Sequence, residues 1–127
     1  MKQKIDTKAA PEAIGPYSQG MIFSDLVFTS GQLPLVPETM EFVQGGITEQ
    51  ARQSLENLKA VLEESGAGID TVIKTTCFLS DMENFAAFNA VYADVFGTEN
   101  APARSCVEAA RLPKDALVEV EAIAYKK

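Results

Sequence analysis

With 127 residues, 46% of them hydrophobic and 23% charged, the chain has the composition of one soluble globular domain spanning residues 1–127. A net charge of −7 with scattered Lys and Arg disfavours nucleic acid as a partner, since phosphate tracking needs clustered cations. Histidine is absent, which removes Ser-His-Asp and Cys-His nucleophiles and the commonest metal ligand; chemistry must come from carboxylate, hydroxyl, thiol, arginine, backbone or water.

No apolar run approaches the roughly 20 residues of a membrane span, and Met1 to Thr7 lacks the apolar core of a signal peptide. The expected compartment is the cytoplasm, where Cys77 and Cys106 are expected to be free thiols.

In chain order, Lys2 to Thr7 reads as a short edge strand. Ala9 to Gly20 holds two prolines and two glycines and reads as loop. Met21 to Phe23 and Leu26 to Thr29 form a predicted hairpin about Ser24 and Asp25, and Ser30-Gly31-Gln32 ends its second strand. Leu33 to Gly46 reads as turns with a short extended piece near Met40 to Val43.

Ile47, Ala51, Leu55, Leu58, Val61 and Leu62 recur at three- and four-residue spacing, which predicts an amphipathic helix with Thr48 as N-cap and Ser65-Gly66 as stop. Thr71 to Leu79 is rich in β-branched residues and reads as a strand. Ser80 with Glu83, or Asp81 alone, would cap a second helix carrying Phe85, Phe88, Val91, Tyr92, Val95 and Phe96 and ending before Gly97. Two alternating runs follow, Ala101 to Ala109 and Val118 to Ala124, joined by a charged turn.

This element order predicts an α+β fold, a mixed sheet with two helices on one face. The other face is left open, with Leu26, Phe28 and Ser30 on one side of their strand and Val72 with Phe78 on one side of theirs. So mixed a face predicts a homo-oligomer whose sheets pack together.

In the last two runs, alternation puts Arg104, Cys106 and Glu108 on one side of their strand, and Glu119 and Glu121 on one side of theirs. With Val118, Val120 and Ala122 on the core, an arginine, a thiol and carboxylates are expected to share the outward face.

Arg104 offers a planar fork for a carboxylate; the plainer reading is a salt bridge to Glu108, Glu119 or Glu121. Glu119 suits a general base if a neighbouring apolar face raises its pKa, and a solvated edge otherwise. Cys106 lies two residues from Arg104, so its backbone N–H is as good a candidate as its thiol. Tyr17 in a stiff loop, Ser30-Gly31 where backbone can approach a ligand, and Asn89 on the second helix are weaker candidates. From the residues alone the function stops at binding of a small anion.

I-G-P-Y-S-Q-G at Ile14 to Gly20, T-S-G-Q at Thr29 to Gln32, P-A-R-S-C-V-E at Pro102 to Glu108, R-L-P-K-D at Arg111 to Asp115 and V-E-V-E-A-I-A at Val118 to Ala124 together resemble the RidA (YjgF/YER057c/UK114) family. The resemblance runs through the whole chain, and each motif position is occupied as in that family. It implies a homotrimer of chorismate-mutase-like fold with clefts between subunits. It also implies a cofactor-independent enamine/imine deaminase that hydrolyses 2-aminoacrylate and other 2-imino acids to 2-keto acids and ammonia. By motif position, Arg104 would hold the substrate carboxylate with the Cys106 amide, Glu119 would handle water, and Tyr17, Ser30, Gly31 and Asn89 would shape the pocket. The competing readings are a non-catalytic trimer that binds 2-keto acids, a ribonuclease, which the acidic balance disfavours, and a thiol-dependent role for Cys77 and Cys106.

Overall fold

Alternating apolar residues and β-branched runs build eight strands, and apolar stripes at helical spacing build two helices. The computed structural model describes residues 1–127. Its strands are β1 (Gln3–Ile5), β2 (Gly20–Phe23), β3 (Leu26–Thr29), β4 (Leu35–Val36), β5 (Glu41–Phe42), β6 (Val72–Leu79), β7 (Ala103–Glu108) and β8 (Val118–Tyr125); its helices are α1 (Ile47–Glu64) and α2 (Phe85–Phe96). Six strands form one sheet in the order β1-β2-β3-β8-β6-β7, and β4 pairs with β5 as a separate ribbon. Only β6 and β7 run parallel, because α2 carries the chain back between them. No helix is long and apolar enough to cross a membrane.

Both helices lie on one face, as the α+β pattern predicts. Leu55, Leu58, Val61 and Leu62 of α1 and Phe88 and Val91 of α2 bury against Val27, Cys77, Leu79, Val118, Val120 and Ala124. Burying each large apolar side chain is worth about 1.5–3 kcal/mol, and truncating one such as Leu58 to Ala would cost about 2–5 kcal/mol.

The helix ends follow local chemistry. The Glu49 carboxylate accepts the Gly46 N–H at 2.9 Å, so Gly46 is the N-cap and Thr48 lies inside the first turn, one correction to the sequence reading. At the other end, Ala67 N–H donates to the Leu62 carbonyl and Gly66 N–H to the Glu63 carbonyl. Gly66 adopts φ 90° there, the left-handed conformation that lets the chain turn away from α1. Asp81 accepts the Glu83 N–H at 2.9 Å and caps a 3-10 turn that leads into α2.

The opposite face of the sheet carries no helix. Phe23, Leu26, Phe28, Val107 and Tyr125 stay exposed there. Val72 does not share a side with Phe78, contrary to expectation. A register shift between Val72 and Lys74 against β8 inserts Ile73 as a bulge and turns Val72 into the core.

Candidate functional site

Glu119 sits on β8 opposite Phe78, on the open face, while the neighbouring Val118 and Val120 are buried under the helices. Its surroundings are brought in by backbone. Gln32 N–H donates to the Val120 carbonyl at 2.8 Å, which lays Ser30-Gly31 alongside Glu119. A Cβ on Gly31 would lie 2.7 Å from the Glu119 carboxyl carbon, so any larger residue there would push that carboxylate out of its place.

Ser30 ties Tyr17 into the same place. Its N–H donates to the Gln19 carbonyl at 2.8 Å and its hydroxyl to the Ser18 carbonyl at 2.5 Å. Gln19 is buried, and its amide accepts from Thr7 N–H at 2.7 Å and donates to the Pro11 carbonyl at 2.8 Å, pinning the loop that presents Tyr17.

Tyr17, Ser30, Gly31 and Glu119 line one concavity of about 740 Å³ together with Ile14, Leu33, Leu35, Met40, Lys114 and Glu121. The β4–β5 ribbon supplies part of this wall. Buried Asn57 of α1 holds it by donating to the Leu33 carbonyl at 2.9 Å and the Leu35 carbonyl at 2.8 Å. Burial raises the Glu119 carboxyl above its ordinary value, and the nearby Glu121 carboxylate adds to the rise.

Arg104 stands elsewhere. In the β6–β7 ladder it pairs with Thr75 and Cys106 pairs with Cys77, both of them buried on the helix side. Arg104 and Cys106 therefore face the helices, and Glu119 faces away from them. The expectation that these groups share one outward face is wrong for a single protomer. The reason lies in α2, which covers the edge strand β7 and presents Asn89 to it: Arg104 Nη1 donates to Asn89 Oδ1 at 2.7 Å.

The guanidinium carbon lies 4.7 Å from the Tyr92 ring centroid and 5.6 Å from that of Phe85. The salt-bridge reading also fails. The chain's ion pairs are Arg52–Asp94, Arg111–Asp115 and Lys127–Asp70, and Glu108 instead accepts the Met82 N–H at 2.9 Å.

Both cysteines are free. Burial drives the Cys77 thiol up to about 12, and burial raises that of Cys106 as well, with Arg104 pulling the other way. The raised value makes Cys106 a weaker nucleophile than a free thiol at neutral pH.

The structure thus gathers Tyr17, Ser30, Gly31 and Glu119 into one cluster and Asn89, Arg104 and Cys106 into another, on opposite faces of the sheet. Sequence reasoning missed the residues that hold these clusters. Gln19 and Asn57 sit buried among apolar neighbours, and a polar side chain interrupting a helix's apolar stripe, as Asn57 does, was the available signal. Leu33 in a loop, Leu35 on the two-residue β4, Met40 in a turn and Lys114 in a 3-10 turn gave none.

A model of the family described as Endoribonuclease L-PSP matches residues 7–126. A RutC family protein of Pyrococcus horikoshii is 53% identical, covering 100% of both chains. The 2-iminobutanoate/2-iminopropanoate deaminase of Escherichia coli (strain K12) is 49% identical over 100% of both chains. Among solved structures, E. coli TdcF with bound serine superposes with a TM-score of 0.93 at 46% identity, covering 98% of this chain and 99% of that one. With motifs, fold and full-length relatives in agreement, the chain belongs to the RidA (YjgF/YER057c/UK114) family, whose model carries the Endoribonuclease L-PSP description.

Proposed function

We propose that this protein is an enamine/imine deaminase that hydrolyses 2-imino acids, 2-aminoacrylate after tautomerisation among them, to 2-keto acids and ammonia. The observation that carries this reading is a pair of charges without ionic partners: Arg104, half-buried with part of its fork free, and Glu119, a carboxylate held above its usual pKa. A relative of 49% identity that bears the deaminase name supports the substrate class.

The chemistry is light enough for such a chain. A protonated imine is already electrophilic, so a cofactor is not needed. Arg104 binds the carboxylate bidentately, and the Cys106 amide helps. Glu119 takes a proton from water as its oxygen adds to the imine carbon, giving a carbinolamine. Glu119 returns that proton to nitrogen, and the C–N bond breaks as the carbinol O–H gives its own proton to Glu119. The products are the ketone and ammonia, which carries that last proton away as ammonium. Tyr17, Ser30, Gly31 and Asn89 shape the pocket around these atoms.

Arg104 and Glu119 point from opposite faces of one sheet, so a substrate touching both must bridge two protomers. The exposed apolar residues of the open face favour packing of that face against a second copy, and a homotrimer with three such clefts accommodates this arrangement. Generating 2-iminobutanoate in situ with an amino-acid oxidase, and following its disappearance as the semicarbazone, tests the reading. A deaminase lowers semicarbazone formation in proportion to enzyme added; a non-catalytic keto-acid binder leaves the rate unchanged and would sink the proposal. Size-exclusion chromatography with light scattering tests the trimer.

A further inference from the structure

The arginine of the second cluster is fixed before any ligand arrives. Phe85, Asn89 and Tyr92 recur at the four- and three-residue spacing of one helix face, and that face of α2 meets the Arg104 guanidinium. Asn89 takes one N–H, the Tyr92 ring supports the planar face at 4.7 Å, and the remaining donors stay free for a planar acid.

Tyr92 is itself immobilised. Its ring packs 4.5 Å from Phe96 and 5.7 Å from Phe88, and its hydroxyl lies 2.7 Å from the hydroxyl of buried Thr75. Thr75 is the residue of β6 that pairs with Arg104 in the sheet. The contacts therefore close a ring: strand to strand through the ladder, β6 to α2 through the two hydroxyls, and α2 back to the guanidinium through the aromatic face. A guanidinium held this way gives up less freedom when it grips a carboxylate than a swinging one would.

We propose that Tyr92 is the positioning residue that aims the Arg104 fork, with the Thr75 hydroxyl fixing the angle of its ring; this rests on the reading of Arg104 as the carboxylate anchor. Tyr92 touches no reacting atom. Its burial raises the phenol pKa further above its ordinary value, so the ring stays neutral at working pH and acts by its π face, not as an anion.

The experiment compares wild type, Tyr92→Phe and Tyr92→Leu as intact oligomers, using 2-iminobutanoate turnover and calorimetric binding of 2-oxobutanoate. Tyr92→Phe keeps the ring but loses the tie to Thr75 and should raise KM about twofold to threefold, while Tyr92→Leu should raise KM and the 2-oxobutanoate Kd roughly tenfold, with kcat at saturation preserved. A folded Tyr92→Leu protein with unchanged KM and Kd, or one that loses kcat with KM intact, overturns the role.

Should the leucine variant not fold, NMR of the wild-type protein decides. The Arg104 Nε–H signal should be ring-current shifted and its guanidinium rotation slow; a random-coil shift with free rotation overturns the platform. Wild-type protein that binds 2-oxobutanoate without turning over imine sinks the deaminase reading alone, whereas unchanged binding in Tyr92→Leu sinks this one alone.

Discussion

Arg104 and Glu119 belong to strands that flank the same neighbour, β6, yet they are built in different ways. Arg104 points toward the helices and is gripped by its own protomer through Asn89, Tyr92 and Phe85. Glu119 points away from them, has no cation beside it, and owes its place to a glycine and to loops tied down by Gln19 and Asn57. One is a rigid anchor on the edge of the sheet. The other is a carboxylate in an open concavity lined by loops and the β4–β5 ribbon. The contrast teaches that, if the proposed roles of Arg104 and Glu119 hold, acid binding and water handling are placed on two surfaces, so that assembly, not folding alone, would bring them together.

The largest effect expected comes from breaking both halves at once in separate chains. Arg104→Ala should lower kcat/KM by at least about a hundredfold through loss of a charge-assisted anchor, and Glu119→Gln should lower kcat comparably with less harm to binding. Unfolding the two variants together and refolding the mixture should restore activity in about a quarter of the sites, as random assortment of paired half-sites predicts. Recovery is read by the imine assay against each variant alone. No recovery in a mixed oligomer would mean that both groups act from one protomer, and the comparison would collapse.

Gly31→Ala sharpens the Glu119 half. The new Cβ must displace the carboxylate, so activity should fall by tenfold or more, roughly, while overpacking costs about 1–3 kcal/mol of stability. Substrate binding through Arg104 should change little, which a Kd for 2-oxobutanoate checks. Asn57→Ala comes next. It leaves the Leu33 and Leu35 carbonyls without donors and should cost about 2–3 kcal/mol in chemical denaturation, with a smaller loss of turnover.

How legible this was in the sequence depends on how each element is buried. The helices and the central strand were plain, because Leu55, Leu58 and Leu62 on one side and Val118, Val120 and Ala122 on the other alternate against polar residues with strong contrast. The facing of β7 was not. It is an edge strand with no residue fully buried, so Ala103, Ser105 and Val107 resembled a core-facing set while in fact lying on the open side. The clue was on α2, where Asn89 shares a helix face with Phe85 and Tyr92 and needs a partner of its own. Residues of the β4–β5 ribbon were illegible for another reason: Met40 reaches the pocket from a turn with φ 59°, and no periodic pattern marks such a position. The family motifs marked Tyr17, Ser30, Gly31, Arg104 and Glu119, but motif order along the chain says nothing about which face of the sheet each one occupies.

The smallest expected effect concerns stability, and its sign separates a carboxylate kept for chemistry from one kept for structure. Burial first, and Glu121 second, hold the folded-state pKa of Glu119 above its unfolded value. Such a group favours folding most when protonated: its contribution is complete below the unfolded pKa and is lost as pH rises through the folded one. Near neutral pH the folded protein therefore holds an ionised side chain that would be better solvated in the unfolded state. Glu119→Gln removes that unfavourable term, so the variant should be slightly more stable than wild type near neutral pH, and the margin should shrink as pH falls through the carboxylate range. Urea midpoints across that range measure it. A variant that is both nearly inactive and more stable marks a carboxylate retained against the interest of the fold, whereas a destabilised one assigns Glu119 to the scaffold and leaves Arg104 without its counterpart.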